Sequence, residues 1–337
     1  MPTNRQWVLR RRPEGDIKPG DLELIETPTP ELQSGEVLIR NVYLSLDPTN
    51  RIWMSEVDQY LPPVEIGDVM RGGTLGVVEA SNSPAFTPGQ VVMPGLSGWS
   101  DYTVANEQTA RPVPAMPSVP LTAYMSVLGA TGVTAWAGLD IAKPQPGETV
   151  VVSAAAGAVG SIAGQLAKLR GARVIGIAGG PAKCAWLTDE LRFDGAIDYK
   201  NEDVGAALDR LCPNGIDVDF ENVGGDIMNA VVARMNNYSR MALCGMISTY
   251  NDDTAGTGVK DFARVLMRRI LIKGFIVIDY IPRWGEALGE IAPLVLSGQL
   301  KWKAHVEDGL EHADQTVRRL FTGDHDGKLL VRISPEP

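Results

Sequence analysis

The chain has 337 residues, 44% of them hydrophobic and 21% charged, with 31 Lys+Arg against 41 Asp+Glu and a formal charge of −10. A single core rarely grows past roughly 250–300 residues, so this length predicts two domains, and the composition excludes extensive disorder. The acidic balance excludes nucleic-acid backbone binding as the main role, because that requires a basic face; a local cationic pocket for a small phosphorylated ligand remains compatible with it.

Cys184, Cys212 and Cys244 are odd in number and widely spaced, which argues against a disulfide framework and for a reducing, cytoplasmic setting. The opening segment has no apolar run after its arginines, so it does not read as a secretory signal, and Arg10–Arg12 read as a solvated strand end. The uncharged stretches Pro112–Leu139 and Thr149–Ala167 are long enough to test as membrane spans. Pro114, Pro117, Pro120, Gly129 and Gly132 interrupt the first, and Gly157, Gly160 and Gly164 the second, so both read as buried core with no membrane role.

In chain order, Val37–Leu44, Gly76–Ala80 and Gln90–Met93 are short apolar, β-branched runs bounded by Gly and Pro, and no long helical period precedes residue 120. This predicts a small β domain. From Thr149 strand and helix alternate: strands at Thr149–Ser153, Val174–Ala178, Ala196–Tyr199, Val218–Glu221, Arg240–Cys244 and within Ile270–Ile278, with helices at Ile162–Arg170, Lys183–Leu191, Asp203–Leu211 and Met228–Met235. That order predicts parallel strands joined by crossover helices, an α/β doubly wound sheet of Rossmann type. From about Lys301 the pattern is again mixed.

The run Ala154-x-x-Gly157-x-x-Gly160 follows an apolar strand and opens a helix. Small residues there let a pyrophosphate approach the backbone, while the helix N-terminus offers unpaired N–H groups and the positive end of a dipole. Gly157, Ala158, Val159 and Gly160 are therefore candidate cofactor contacts. A site selective for NAD carries an acid at the end of the second strand, yet no acid occurs between Glu148 and Asp189; that strand ends in Ala178-Gly179-Gly180, with Lys183 following. An ammonium attracts a 2′-phosphate where a carboxylate would repel it, so NADP(H) is the expected cofactor.

A catalytic zinc held by Cys and His in the first domain is impossible, because no cysteine precedes Cys184 and the three histidines, His305, His312 and His325, all lie near the C-terminus. Three cysteines do not build a four-cysteine structural zinc lobe either, so no metal is expected. Hydride transfer to an already polarised acceptor, such as an enone, an enal or a quinone, stays open.

Several motifs together carry a resemblance over nearly the whole chain: Leu44-Ser45-Leu46-Asp47-Pro48; Gly132-x-Thr134-Ala135-Trp136-x-Gly138-Leu139; Ala154–Ser161; Glu221-Asn222-Val223-Gly224-Gly225; Cys244–Asn251; and Gly323-Asp324-x-x-Gly327-Lys328. With these the chain resembles the zinc-independent medium-chain dehydrogenases/reductases, and within them the NADP-dependent alkenal/one oxidoreductases. The resemblance implies a GroES-like β domain over 1–122 completed by 301–337, a Rossmann domain over 123–300, an active site in the cleft between them, and a homodimer. It also implies NADPH-dependent reduction of the carbon–carbon double bond of an α,β-unsaturated ketone or aldehyde.

Residue by residue, the resemblance implies that Lys183 and Tyr199 hold the 2′-phosphate and that Asn222, Cys244 and Gly245 border the cofactor. Phe275, Ile276 and Val277 match a strand end beside the nicotinamide, His325 stands where the family often has an asparagine on the cofactor, and Tyr250 matches a tyrosine beside the substrate carbonyl. By residue type alone, Asn222–Gly225 also reads as a tight turn, Cys244 and Phe275 as core, and Tyr250 as an exposed turn residue. The chain departs from the family at Thr49-Asn50, where Tyr-Met is common, and at Trp136, where tyrosine is usual. A quinone reductase and a non-catalytic NADP(H)-binding sensor are the alternative readings.

Overall fold

The computed structural model of the protein describes residues 3–114, 116, 118–251 and 258–337. Pro117, Asp252, Asp253 and the segment 254–257 of the loop after Tyr250 lie outside the described residues. The chain divides into two units: Met1–Met125 with His305–His325 and Leu329–Pro337, and Ser126–Ala304 with Asp326–Lys328.

In the first unit, β1 (Thr3–Leu9) and β2 (Leu22–Pro28) form a hairpin. Beside it runs a sheet built on the long strands β3 (Glu36–Ser45) and β4 (Arg71–Ser81), with the short β5 (Val91–Met93), β6 (Leu96–Gly98), β7 (Tyr102–Asn106) and β8 (Arg111–Pro112) added to them. The core of this unit holds Leu9 and Leu44 from the strands together with Leu46, Trp53, Met54, Met70 and Trp99. Arg51 is buried there, and its guanidinium donates to the carbonyls of Pro13 and Gly15 and to the Ser55 hydroxyl.

The second unit is a parallel six-stranded sheet of β9 (Thr149–Val152), β10 (Arg173–Ala178), β11 (Gly195–Asp198), β12 (Ile216–Glu221), β13 (Met235–Leu243) and β14 (Leu271–Gly274). The strand order is β11-β10-β9-β12-β13-β14, the doubly wound order that the alternation predicts, with its topological switch between β9 and β12. The last segment adds β15 (Ala304–Asp308) and β16 (Lys328–Arg332), the latter antiparallel to β3.

On one face of the sheet lies the helix Ala130–Ala142. Gly138 is required there, because a Cβ would fall 2.4 Å from the Phe220 ring; at Gly132 it would fall 1.9 Å from the Val127 carbonyl oxygen. The motif shared with the family at 132–139 is thus a packing device. Trp136 is fully buried under the Arg283 guanidinium, which sits 4.5 Å from the ring centroid and is tied to Asp140 at 2.6 Å.

Two predicted elements need correction. The predicted helix Lys183–Leu191 is a short α-helix, Pro181–Ala185, followed by a π-helical turn, Trp186–Glu190, in which the Thr188 hydroxyl bonds back to the Cys184 and Ala185 carbonyls. The predicted helix Met228–Met235 runs instead from Gly225 to Val232, and Met235 already begins β13. The strand expected within Ile270–Ile278 is present as Leu271–Gly274, and Val277–Arg283 is a 3-10 helix. Among the described residues no helix is long and apolar enough to cross a membrane.

Candidate cofactor and substrate site

The candidate cofactor residues of the second unit sit at or just beyond the carboxyl ends of its strands, where ligands of doubly wound sheets bind. After β9 the chain turns through Ser153–Gly157 and enters the helix Ala158–Leu169. Ala154 holds a left-handed conformation, φ 47°, and its carbonyl closes the turn by accepting from Gly157 N–H at 2.9 Å. A Cβ on Gly160 would lie 2.5 Å from that carbonyl oxygen, and one on Gly157 3.0 Å from it, so both glycines are dictated by the closed turn. Gly157 caps the helix with no side-chain hydrogen bond, so the first-turn N–H groups of Ala158, Val159 and Gly160 face a cradle of bare backbone. This geometry fits a pyrophosphate.

Beyond β10 lies Gly179, where a Cβ would meet the Tyr199 ring at 2.9 Å and the Lys200 side chain at 3.0 Å. Lys183 follows in the short helix Pro181–Ala185. Two acids lie nearby: Glu202, which accepts from Asp198 N–H and pairs with Arg210, and Asp198 at the end of β11. Hydrogen bonds from Asn201 Nδ2, Gly180 N–H and Lys200 N–H hold its carboxyl below the usual range, so the charge is taken up by these donors. Tyr199, half exposed, and Lys200 therefore flank a bare glycine, with Lys183 in the helix that follows, a donor set that fits a 2′-phosphate. Lys200 was not singled out from sequence; it lies directly after Tyr199, and the turn beyond β11 carries it to Gly179.

The motifs at 221–225 and 244–251 form one hydrogen-bonded body. Asn222 donates its N–H to Ser153 Oγ at 2.7 Å and its amide Nδ2–H to the Ser153 carbonyl at 2.7 Å. Cys244 and Gly245 N–H both donate to the Glu221 carbonyl, Ile247 N–H to that of Asn222 and Ser248 N–H to that of Val223. Tyr250 reaches back across this body: its Oη accepts from Met246 N–H at 3.0 Å and lies 3.1 Å from where a Gly245 Cβ would be. Asn222, Gly245 and Tyr250 are thereby brought together. The Cys244 thiol is pushed up to about 12 by burial first and by the Glu221 charge second, so it is a neutral wall and not a nucleophile.

Phe275, Ile276 and Val277 follow β14. The Phe275 ring is buried edge-on to Phe220 and Tyr280, with centroids at 6.5 and 6.1 Å, so its side chain packs in the core. In the first unit, His325 directs Nδ1 to the Arg319 carbonyl at 3.1 Å; a carbonyl only accepts, so Nδ1 carries a proton. The Thr49 hydroxyl, where the family has tyrosine, lies 2.5 Å from the Tyr60 hydroxyl, so a phenol supplied eleven residues later occupies this neighbourhood. Asn50 is fully buried and joins Asp47 N–H to the Arg71 carbonyl.

Among the described residues no group of three His, Cys, Asp or Glu side chains is arranged to hold a metal ion. Residues 5–113 match the family described as the N-terminal domain of oxidoreductase, and residues 158–292 the family described as zinc-binding dehydrogenase. The second description names zinc, yet the first unit of this chain contains no cysteine.

The chain is 41% identical to the NADPH-dependent curcumin reductase of Escherichia coli (strain K12), over 98% of this chain and 97% of the relative. It is 37% identical to the NADP(+)-dependent 2-alkenal reductase of Nicotiana tabacum, over 99% and 98%. The crystal structure of CurA from Vibrio vulnificus in complex with NADPH superposes with a TM-score of 0.93 at 41% identity, covering 98% of this chain and 100% of that one. Fold and site together define a medium-chain dehydrogenase/reductase. Within that class the chain belongs to the zinc-independent NADP-dependent alkenal/one oxidoreductases.

Proposed function

We propose that this protein reduces the carbon–carbon double bond of α,β-unsaturated ketones and aldehydes at the expense of NADPH. The observation that carries the reading is the joining of Asn222, Gly245 and Tyr250 at the carboxyl edge of the sheet, beside the phosphate-type turn at Ala154–Gly160. Gly157, Ala158, Val159 and Gly160 would take the pyrophosphate, and Lys183, Tyr199 and Lys200 the 2′-phosphate. Asn222, Cys244, Gly245, Ile276, Val277 and His325 would border the rest of the cofactor. Phe275, whose ring faces the core, would contribute through its backbone. When bound, NADPH supplies a hydride for the β-carbon of the enone.

The role of Tyr250 is to donate a hydrogen bond to the carbonyl oxygen on which negative charge develops. Accepting from Met246 N–H fixes the phenol in place. Cys244 stays a neutral thiol in this reading. Nicotinamide absorbance followed with an enone, a saturated ketone and a quinone tests the reading. Turnover of the enone and none of the saturated ketone is expected; turnover of the quinone alone would replace the reading with a quinone reductase.

The setting is cytoplasmic and the active form a homodimer in the same reading. Tyr238 on β13, Phe262, Leu266 and Met267 on the helix Phe262–Arg268, and Leu271 on the edge strand β14 are all exposed at one end of the sheet. An exposed apolar cluster beside a sheet edge supports self-association. Leu266→Asp shifts sedimentation from dimer to monomer if this face is the interface; an unchanged sedimentation coefficient rejects it.

A further inference from the structure

We infer that Glu221 is a positioning residue for NADP(H), a role that rests on the cofactor border proposed above. Its carboxylate and its backbone carbonyl tie together three strand ends that carry candidate cofactor residues.

Glu221 ends the central strand β12 and is fully buried. Its Oε1 accepts three hydrogen bonds, from Ser153 Oγ at 2.9 Å, Val223 N–H at 2.5 Å and Gly224 N–H at 2.7 Å. Ser153 Oγ itself accepts from Asn222 N–H, so its own proton has to point at Glu221. One oxygen thus fixes the start of the phosphate turn after β9 and the Asn222–Gly224 turn after β12. The Glu221 backbone carbonyl accepts from Cys244 N–H at 2.9 Å and Gly245 N–H at 3.1 Å, which fixes the end of β13.

The charge belongs on this carboxylate. Two residues earlier, on the same face of the strand, Asp219 is completely buried, and neither of its oxygens has a hydrogen-bond partner among the described residues. Its register neighbours are Val151 and Met241, both in an apolar cluster. Burial pushes both carboxyls up. Asp219 has no donor on either oxygen, whereas Glu221 has three donors on Oε1 and none on Oε2, so of the pair Glu221 is the one built to hold the negative charge. A charged acceptor strengthens all three bonds and orders the turns before the cofactor arrives.

The variant Glu221→Gln keeps the volume and an acceptor oxygen but removes the charge. The dissociation constant and KM for NADPH are expected to rise about tenfold, while the KM for the enone and kcat at saturating NADPH stay within about twofold. Ser153→Ala, which removes one donor and breaks the link to Asn222, is expected to act in the same direction and stands in if Glu221→Gln does not fold. Asp219→Asn, a change next to the site that leaves these hydrogen bonds in place, is expected to leave NADPH affinity unchanged.

Asn222→Ala separates the inference from the reading beneath it. Weaker NADPH binding in Asn222→Ala, with unchanged binding in folded Glu221→Gln and Ser153→Ala, overturns the role of Glu221 alone. Unchanged binding in all three overturns the cofactor border as well. A lower melting temperature in Glu221→Gln with unaltered NADPH affinity makes Glu221 merely structural and also overturns the inference.

Discussion

The phenolic oxygen of Tyr250 accepts a hydrogen bond from the backbone N–H of Met246, four residues before it, at 3.0 Å. A tyrosine in a polar loop is thereby turned inward onto Gly245 and fixed by its own chain. The loop itself is pinned to the Asn222–Gly225 turn through Ile247 N–H, Ser248 N–H and the Ser248 hydroxyl.

Tyr250→Phe leaves the ring in place and removes the hydroxyl. Loss of one donor to a developing oxyanion lowers turnover roughly ten- to hundredfold. Steady-state kinetics on two enones of different chain length checks this, with NADPH affinity expected to remain unchanged. Unaltered kcat on both enones removes Tyr250 from the chemistry.

Lys183→Ala removes a cation from the short helix that follows Gly179 and Gly180. A single charge-assisted contact corresponds to about a tenfold weaker NADPH affinity, while NADH, lacking the 2′-phosphate, binds as before. Adding Lys200→Ala deepens the loss, because Lys200 lies against Gly179. Fluorescence titration with both cofactors measures the ratio; equal losses for NADPH and NADH place the 2′-phosphate elsewhere.

Arg240 on β13 holds Glu148, the residue before β9, through two hydrogen bonds at 2.9 and 2.6 Å, and this pairing lowers the Glu148 carboxyl below its ordinary 4.5. A depressed folded value contributes stability that is complete above the unfolded value and disappears as pH falls through the folded one. Glu148→Gln therefore melts about 2–4 °C below the wild type near pH 7. The gap closes as the pH is lowered below 4.5. A gap independent of pH assigns the loss to packing.

Asp219 behaves in the opposite sense. Burial first, and the Glu221 charge second, raise its carboxyl well above 3.8. A raised folded value contributes stability that is present below the unfolded value and lost as the pH rises above it. The melting temperature of Asp219→Asn relative to wild type is therefore expected to move in the variant's favour as pH rises from 4 to 8, roughly the range over which an unfolded Asp has ionised. Calorimetry at four pH values checks the slope; a flat difference shows that Asp219 is ionised in the folded protein.

Much of this was legible in the sequence, because the features are local. The switch from short strands to strand–helix alternation near residue 149 marks the doubly wound sheet. The Ala154–Gly160 spacing marks the closed turn, since its two glycines are dictated by atoms within six residues. Glu221 was harder to read. In β12 the acids Asp217, Asp219 and Glu221 alternate with Val218 and Phe220, the pattern of a strand with one wet face. The strand is nevertheless central, flanked by β9 and β13, and of the three donors to Glu221 the Ser153 hydroxyl comes from a distant segment. Phe275 shows the same limit: an aromatic residue just past a strand end fits a ligand or a core equally well, and contacts with Phe220 and Tyr280 decide for the core. The Thr49–Tyr60 pair is a contact across a loop that no local pattern encodes.

The most direct test of the proposed activity follows the hydride itself. NADPH carrying deuterium at both C4 positions is turned over with a straight-chain enone, and the product is examined by NMR. Deuterium on the β-carbon of a saturated ketone is the predicted result. Deuterium on the former carbonyl carbon of an allylic alcohol, or no transfer to the enone despite tight NADPH binding, would contradict it.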